Sequence, residues 1–168
     1  MKGRSAAAAR CSDGSTEGLA FALNQAINNT SLVTLFQYRG RTLLFPGDAQ
    51  YGNWEAWLDQ SDSAQILSQV EFFKVAHHGS VNATPKDALE RMTTGHFAAM
   101  VSTQDVPWPS IPEAKLLEAL DRKASHRVVR SDSLAVSAPK APQGPKLSKL
   151  PTGFQRGNLW FDYLMAVE

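Results

Sequence analysis

The sequence reads as one α/β domain, on three observations. Apolar runs rich in β-formers recur at 31–38, 41–46, 71–76 and 97–103. Between them lie stretches whose apolar residues return at helical spacing. Alternation of this kind builds a sheet with helices packed on it. The length, 168 residues, suits a single domain with a real core.

Taken in order, residues 1–15 are small and polar and predict a loose tail, so the domain proper runs over 16–168. Residues 16–28 place Leu19, Phe21, Leu23, Ala26 and Ile27 at helical spacing, with Ser15 or Thr16 as the cap. Asn28-Asn29-Thr30 breaks that pattern. Arg39-Gly40 between 31–38 and 41–46 predicts a β-hairpin with both strands largely buried. Trp54, Trp57 and Leu58 predict a short helix over 53–60, capped by Asn53.

A strand at 71–76 follows. Pro85 opens a helix through Met92, with proline at its favoured first-turn position. Residues 97–103 read as a strand. Pro112 opens a helix through Arg122 with Leu116, Leu117 and Leu120 on one face. Short strands are expected at 126–130 and 133–137. Four prolines and three lysines make 138–155 a surface loop, and 158–166 a last apolar strand.

Composition narrows the function classes. The chain is 43% hydrophobic and 20% charged, with a formal net charge of +1 and no Lys/Arg run. Bulk charge therefore gives no case for a nucleic-acid or membrane surface. The single cysteine, Cys11, excludes an internal disulfide and suits a reducing compartment. Met1 to Arg10 is too short for a signal peptide, and no stretch reaches the roughly 18 apolar residues of a membrane span. The expectation is a cytoplasmic protein with no membrane partner.

Two motifs carry chemistry. Leu43-Leu44-Phe45-Pro46-Gly47-Asp48-Ala49 ends one apolar run, and Phe72-Phe73-Lys74-Val75-Ala76-His77-His78-Gly79-Ser80 ends another. Strand ends converge at one rim of a sheet, so Asp48 and the His77-His78 pair can meet in space. Asp and His suit zinc or a similar ion. Asp48 reads alternatively as a cap on the turn before the Trp54 helix, and the histidines as surface residues. Gly79-Ser80 permits a tight turn and a close backbone approach, which favours a ligand position.

Ser102 and Thr103 end a strand on what could be the same rim, either capping a turn or touching a ligand. His96 and His126 read as isolated surface histidines. Trp54, Trp57 and Trp108 read as packing residues, and Lys74 as a solvated side chain on a buried strand.

In this order and strand context, SLVTLFQYRGRTLLFPGDA, FFKVAHHGS, a Pro-opened helix, AAMVST and PSIPEAKLLEAL resemble the metallo-β-lactamase fold. The likeness is to the branch that includes the hydrolase domain of bacterial DNA-uptake channel proteins, over about residues 29–137. It implies that Asp48 is a carboxylate bridging two metal ions, zinc or manganese. It makes His77 or His78 a terminal ligand, with His77 nearer the strand end and His78 lining the pocket or orienting its neighbour. The family's HxHxDH motif and its further histidine ligand have no counterpart, since no histidine precedes Asp48.

The chain thus matches the C-terminal half of an αββα sandwich, a partial domain. The complete domain would hydrolyse an ester or phosphodiester with metal, with nucleic acid as substrate by family analogy alone. This half offers only Asp48, His77 and His78, too few for a two-metal centre, so a single ion is expected to bind weakly. Loss of the other half would bare an apolar sheet face, calling for the missing half or a second copy as partner. The alternative is an inactive remnant that serves as an interaction module.

Overall fold

The computed structural model describes residues 30–103, 110–133, 149–157 and 160–167. The expected tail at 1–15, the helix at 16–28, Trp108 and the segment 134–148 lie outside the described residues.

Among the described residues five strands form one sheet in the order β1-β2-β3-β4-β5. They are β1 (Thr34–Tyr38), β2 (Arg41–Phe45), β3 (Phe72–Lys74), β4 (Ala98–Val101) and β5 (Val128–Arg130). β1 and β2 pair antiparallel, and β2, β3, β4 and β5 run parallel. Helices α1 (Tyr51–Leu58), α2 (Ser63–Ser68), α3 (Lys86–Arg91) and α4 (Ala114–Lys123) connect them. A separate antiparallel pair, β6 (Phe154–Arg156) with β7 (Phe161–Tyr163), follows. The chain is α/β, as the alternation of strands and helices predicts.

The β1–β2 turn matches its sequence. Arg39 and Gly40 both take positive φ, 45° and 74°, as a two-residue hairpin of this twist requires. The strands are not equally buried, however. Phe36 and Tyr38 are 54% and 61% exposed, because β1 is the sheet edge and few described residues cover it. The expectation of two largely buried strands holds better for β2, where Thr42 and Leu44 are buried.

The sheet has two faces. Leu44, Phe73, Val75, Ala99 and Val101 pack against Trp54, Leu67, Leu89, Leu116 and Leu120 from the four helices. Each such large apolar side chain contributes about 1.5–3 kcal/mol when fully buried. On the opposite face Ala98 and Val129 pack with Phe154, joined by Met100, Leu150, Phe161 and Tyr163. Tyr163 stacks on Phe72 with ring centroids 5.7 Å apart, and Phe72 is only 7% exposed. The expected bare face is therefore roofed in part by the β6–β7 hairpin.

Several boundaries differ from their sequence reading. Helix α1 begins two residues earlier than expected, and Gln50 rather than Asn53 stands at its N-cap. The Gln50 carbonyl accepts from the N–H groups of Asn53 and Trp54, so Asn53 lies inside the helix. Helix α2 has no counterpart in the reading. Its polar composition hides it, and Ser63 anchors it by donating to the carbonyls of Leu58 and Gln60. Pro85 and Pro112 do not occupy first-turn positions. Pro85 is the N-cap of α3, and Pro112 precedes Glu113, the N-cap of α4.

The C-terminal segment departs furthest. Ser131–Ser133 is a 3-10 turn where a strand at 133–137 was expected to begin. Phe154–Arg156 is a strand inside and beyond the supposed loop 138–155, and the last strand shrinks to Phe161–Tyr163. Gly153 and Gly157, lying against the rings of Tyr163 and Trp160, let the two short strands close on each other.

Candidate metal centre at the sheet rim

Parallel strands point their C-terminal ends the same way, and ligands of open α/β sheets gather there. Asp48 leaves β2 at that rim, His77 and His78 leave β3, and Ser102 and Thr103 leave β4. The segments are tied together by the backbone. The His77 N–H donates to the Gly47 carbonyl at 3.3 Å. The proximity anticipated from the two strand ends is therefore present between the chain segments that carry Asp48 and His77.

The histidine turn is strained. His77, His78 and Gly79 take successive φ values of 39°, 56° and 85°. The left-handed region costs a non-glycine residue on the order of 1–3 kcal/mol and persists only where surrounding structure holds it. The holding contacts are visible. Gly79 N–H donates to Ala76 O, Ser80 N–H to His77 O, and Glu113 N–H to Gly79 O. A Cβ on Gly79 would lie 2.6 Å from Pro112 Cβ, so only glycine fits against the start of α4.

The two imidazoles differ. Nδ1 of His77 is buried and has no hydrogen-bond partner among the described residues. A buried polar atom left alone costs about 1–3 kcal/mol. His78 is exposed, and its Nδ1 lies 2.7 Å from the Ser102 carbonyl. A carbonyl only accepts, so Nδ1 is the donor, and in a neutral imidazole that tautomer leaves the lone pair on Nε2. That is the arrangement by which a backbone carbonyl orients a metal-binding imidazole. The ring centroids are 5.9 Å apart and tilted by 55°.

Asp48 is half-buried and is not the cap of α1, which makes no side-chain capping bond. Its charge acts on Lys74, which is not the solvated side chain expected. Burial pulls the Lys74 ammonium below its ordinary pKa, and Asp48 partly opposes that. Lys74 lines a cleft of about 200 Å³ with Met100, Val101, Ser102, Val129, Ser131, Trp160 and Phe161. Alternation along a strand sends Lys74 to the β6–β7 side with Phe72, and there the hairpin covers it. A sequence signal for that cover existed only in the apolar run 158–166.

The donor set is incomplete for catalysis. A catalytic zinc takes about three protein ligands plus water. Among the described residues, no three His, Cys, Asp or Glu side chains are grouped to hold a metal ion. Asp48, His77 and His78 share a rim without forming such a group.

The remaining candidates lie elsewhere. His126 is exposed and pairs with Asp121 at 2.7 Å. His96 borders a wider polar cleft of about 600 Å³ with Arg39, Arg41 and Glu71, at the opposite ends of β2 and β3. Trp54 is packing, as expected, and its Nε1 donates to the Ala83 carbonyl at 2.8 Å. No helix among the described residues is long and apolar enough to cross a membrane.

Comparisons with family models, with curated proteins and with solved structures found no match.

Proposed function

We propose that this chain carries the C-terminal half of a metal-dependent hydrolase of the metallo-β-lactamase kind, acting on an ester or phosphodiester. Asp48 would be the bridging carboxylate, with His77 or His78 as the terminal ligand to zinc or manganese. The observation that carries this reading is the junction of the two motifs at one sheet rim. Gly47 and His77 are hydrogen-bonded there, and the histidine turn is held in left-handed conformation against α4.

Strain of this kind clusters at ligand-binding positions. Nδ1 of His77, without a partner among the described residues, and the His78 ring, oriented by the Ser102 carbonyl, further support a ligand role. The lacking ligands would come from a partner bearing the other half of the fold, or from a second copy packed on the sheet face. Nucleic acid as substrate follows from family analogy alone.

The second reading is an inactive remnant serving as an interaction module. It draws on Lys74, an amine near enough to Asp48 for the carboxylate's charge to act on it.

The test is zinc and manganese content of the chain purified without chelator, beside His77→Ala, His78→Ala and Asp48→Asn. About one ion per chain, lost in Asp48→Asn and in one histidine variant, supports the hydrolase reading. A metal-free wild-type chain favours the remnant.

A further inference from the structure

The cleft beside Lys74 has the makings of an anion site that the two motifs do not account for. Lys74 and Met100 pair across β3 and β4, and Met100 and Val129 across β4 and β5, so the three side chains share the β6–β7 face. Met100, Val101, Val129 and Phe161 make the walls apolar, and among the described residues Lys74 is the one charged side chain lining them. Among the described residues its Nζ meets no carboxylate within ion-pair distance. Among those residues it makes one hydrogen bond, to the Val75 carbonyl at 3.3 Å, so a charged ammonium there would keep two protons for a ligand.

The cleft is also placed for substrate. Ser102, which lines it, also offers its carbonyl to His78, so one residue joins the cleft to the histidine turn. Its size, about 200 Å³, falls below the usual range for a whole small-molecule ligand, roughly 300–1,000 Å³. It suits one charged group of a larger molecule. Trp160, 48% exposed at its edge, presents an indole to whatever extends beyond.

We propose that this cleft binds a phosphate group through Lys74, holding one phosphate of a phosphorylated ligand beside the rim occupied by Asp48 and the histidines. A compact ammonium suits phosphate as a point charge, and apolar walls strengthen its attraction by excluding water. An incoming anion would favour the protonated amine, as Asp48 already does. The inference deepens the hydrolase reading by naming phosphate as the substrate's chemistry, but the cleft and its lysine stand without the metal.

The experiment is a titration of the 15N-labelled full chain, kept in chelator, with inorganic phosphate and separately with dimethyl phosphate. The Trp160 indole N–H and the Ser102 amide report binding. Saturable shifts at both are expected, weakened about tenfold or more in Lys74→Met and largely restored in Lys74→Arg. Asp48→Asn should bind phosphate at least as well as wild type, since it removes a negative charge. Binding of inorganic phosphate alone assigns a free phosphate or monoester, and binding of the dimethyl ester assigns a phosphodiester.

No saturable shift with either probe, or binding unchanged in a folded Lys74→Met variant, overturns the proposal. Because chelator removes metal throughout, loss of phosphate binding and loss of metal binding are separate outcomes. A chain that takes up no zinc or manganese when purified without chelator, yet binds phosphate in this titration, would overturn the hydrolase reading and leave this one standing.

Discussion

The Gly47 carbonyl accepts the backbone N–H of His77 at 3.3 Å, joining the ends of β2 and β3 just beyond their last ladder contacts. Parallel pairing brings the two strands side by side, and this bond keeps their exits together. It places Asp48 and the histidine pair at one rim with no hydrogen bond or ion pair from the Asp48 carboxylate to either imidazole among the described residues. The rim is therefore a backbone construction, and substitutions in its turn should register as changes in stability.

Gly79→Ala should destabilise the chain by roughly 2–4 kcal/mol, from a left-handed backbone and overpacking together. Its new Cβ would meet Pro112 Cβ at 2.6 Å, at a φ of 85°. Urea unfolding reads this as a lower midpoint at unchanged slope. A wild-type midpoint would show that the turn is not pinned against the start of α4.

Tyr163→Ala should loosen the roof over the second sheet face. Tyr163 stacks on Phe72 at 5.7 Å and packs on Phe154 at 4.8 Å. Loss of these contacts should cost roughly 1–3 kcal/mol. The bared Phe72 should bind a hydrophobic dye and promote self-association, measured by fluorescence and light scattering. Unchanged dye binding would mean that the hairpin does not shield this face.

Lys74→Met tests the sign of the lysine's linkage to pH. Burial lowers the Lys74 pKa below its ordinary 10.5, so the unfolded chain holds that proton more tightly than the folded one. Stability then rises with pH between the folded value and the ordinary one, where the unfolded state binds more protons. The methionine variant lacks this gain. Its advantage over wild type should be largest near neutrality and shrink as pH approaches the ordinary lysine value, seen in thermal midpoints at several pH values. An advantage that grows with pH would instead mean that Asp48 holds the ammonium more firmly than burial disfavours it.

Much of the α/β core was legible because local signals and the final packing agree. The run 41–46 alternates in burial as β2, and Leu116 and Leu120 are buried on one face of α4. Helix α2 was not legible, because SAQILS is half polar and its anchoring bonds reach back to Leu58 and Gln60. The N-caps slipped for a similar reason. Gln50 caps α1 through its backbone carbonyl, which no side-chain rule reports.

By itself the sequence determined the strand-and-helix alternation, the Arg39-Gly40 turn, and the placing of Asp48 and His77-His78 at strand ends. Each follows from local propensity or from the period of apolar residues, which a chain carries without its neighbours. Long-range packing, not local pattern, makes β1 the edge of the described sheet and sets β6–β7 over the second face. It likewise decided that His78 turns to Ser102 and that Lys74 lines a cleft instead of meeting solvent. These depend on contacts between residues far apart in the chain, and pairings of that range leave no periodic trace in either segment.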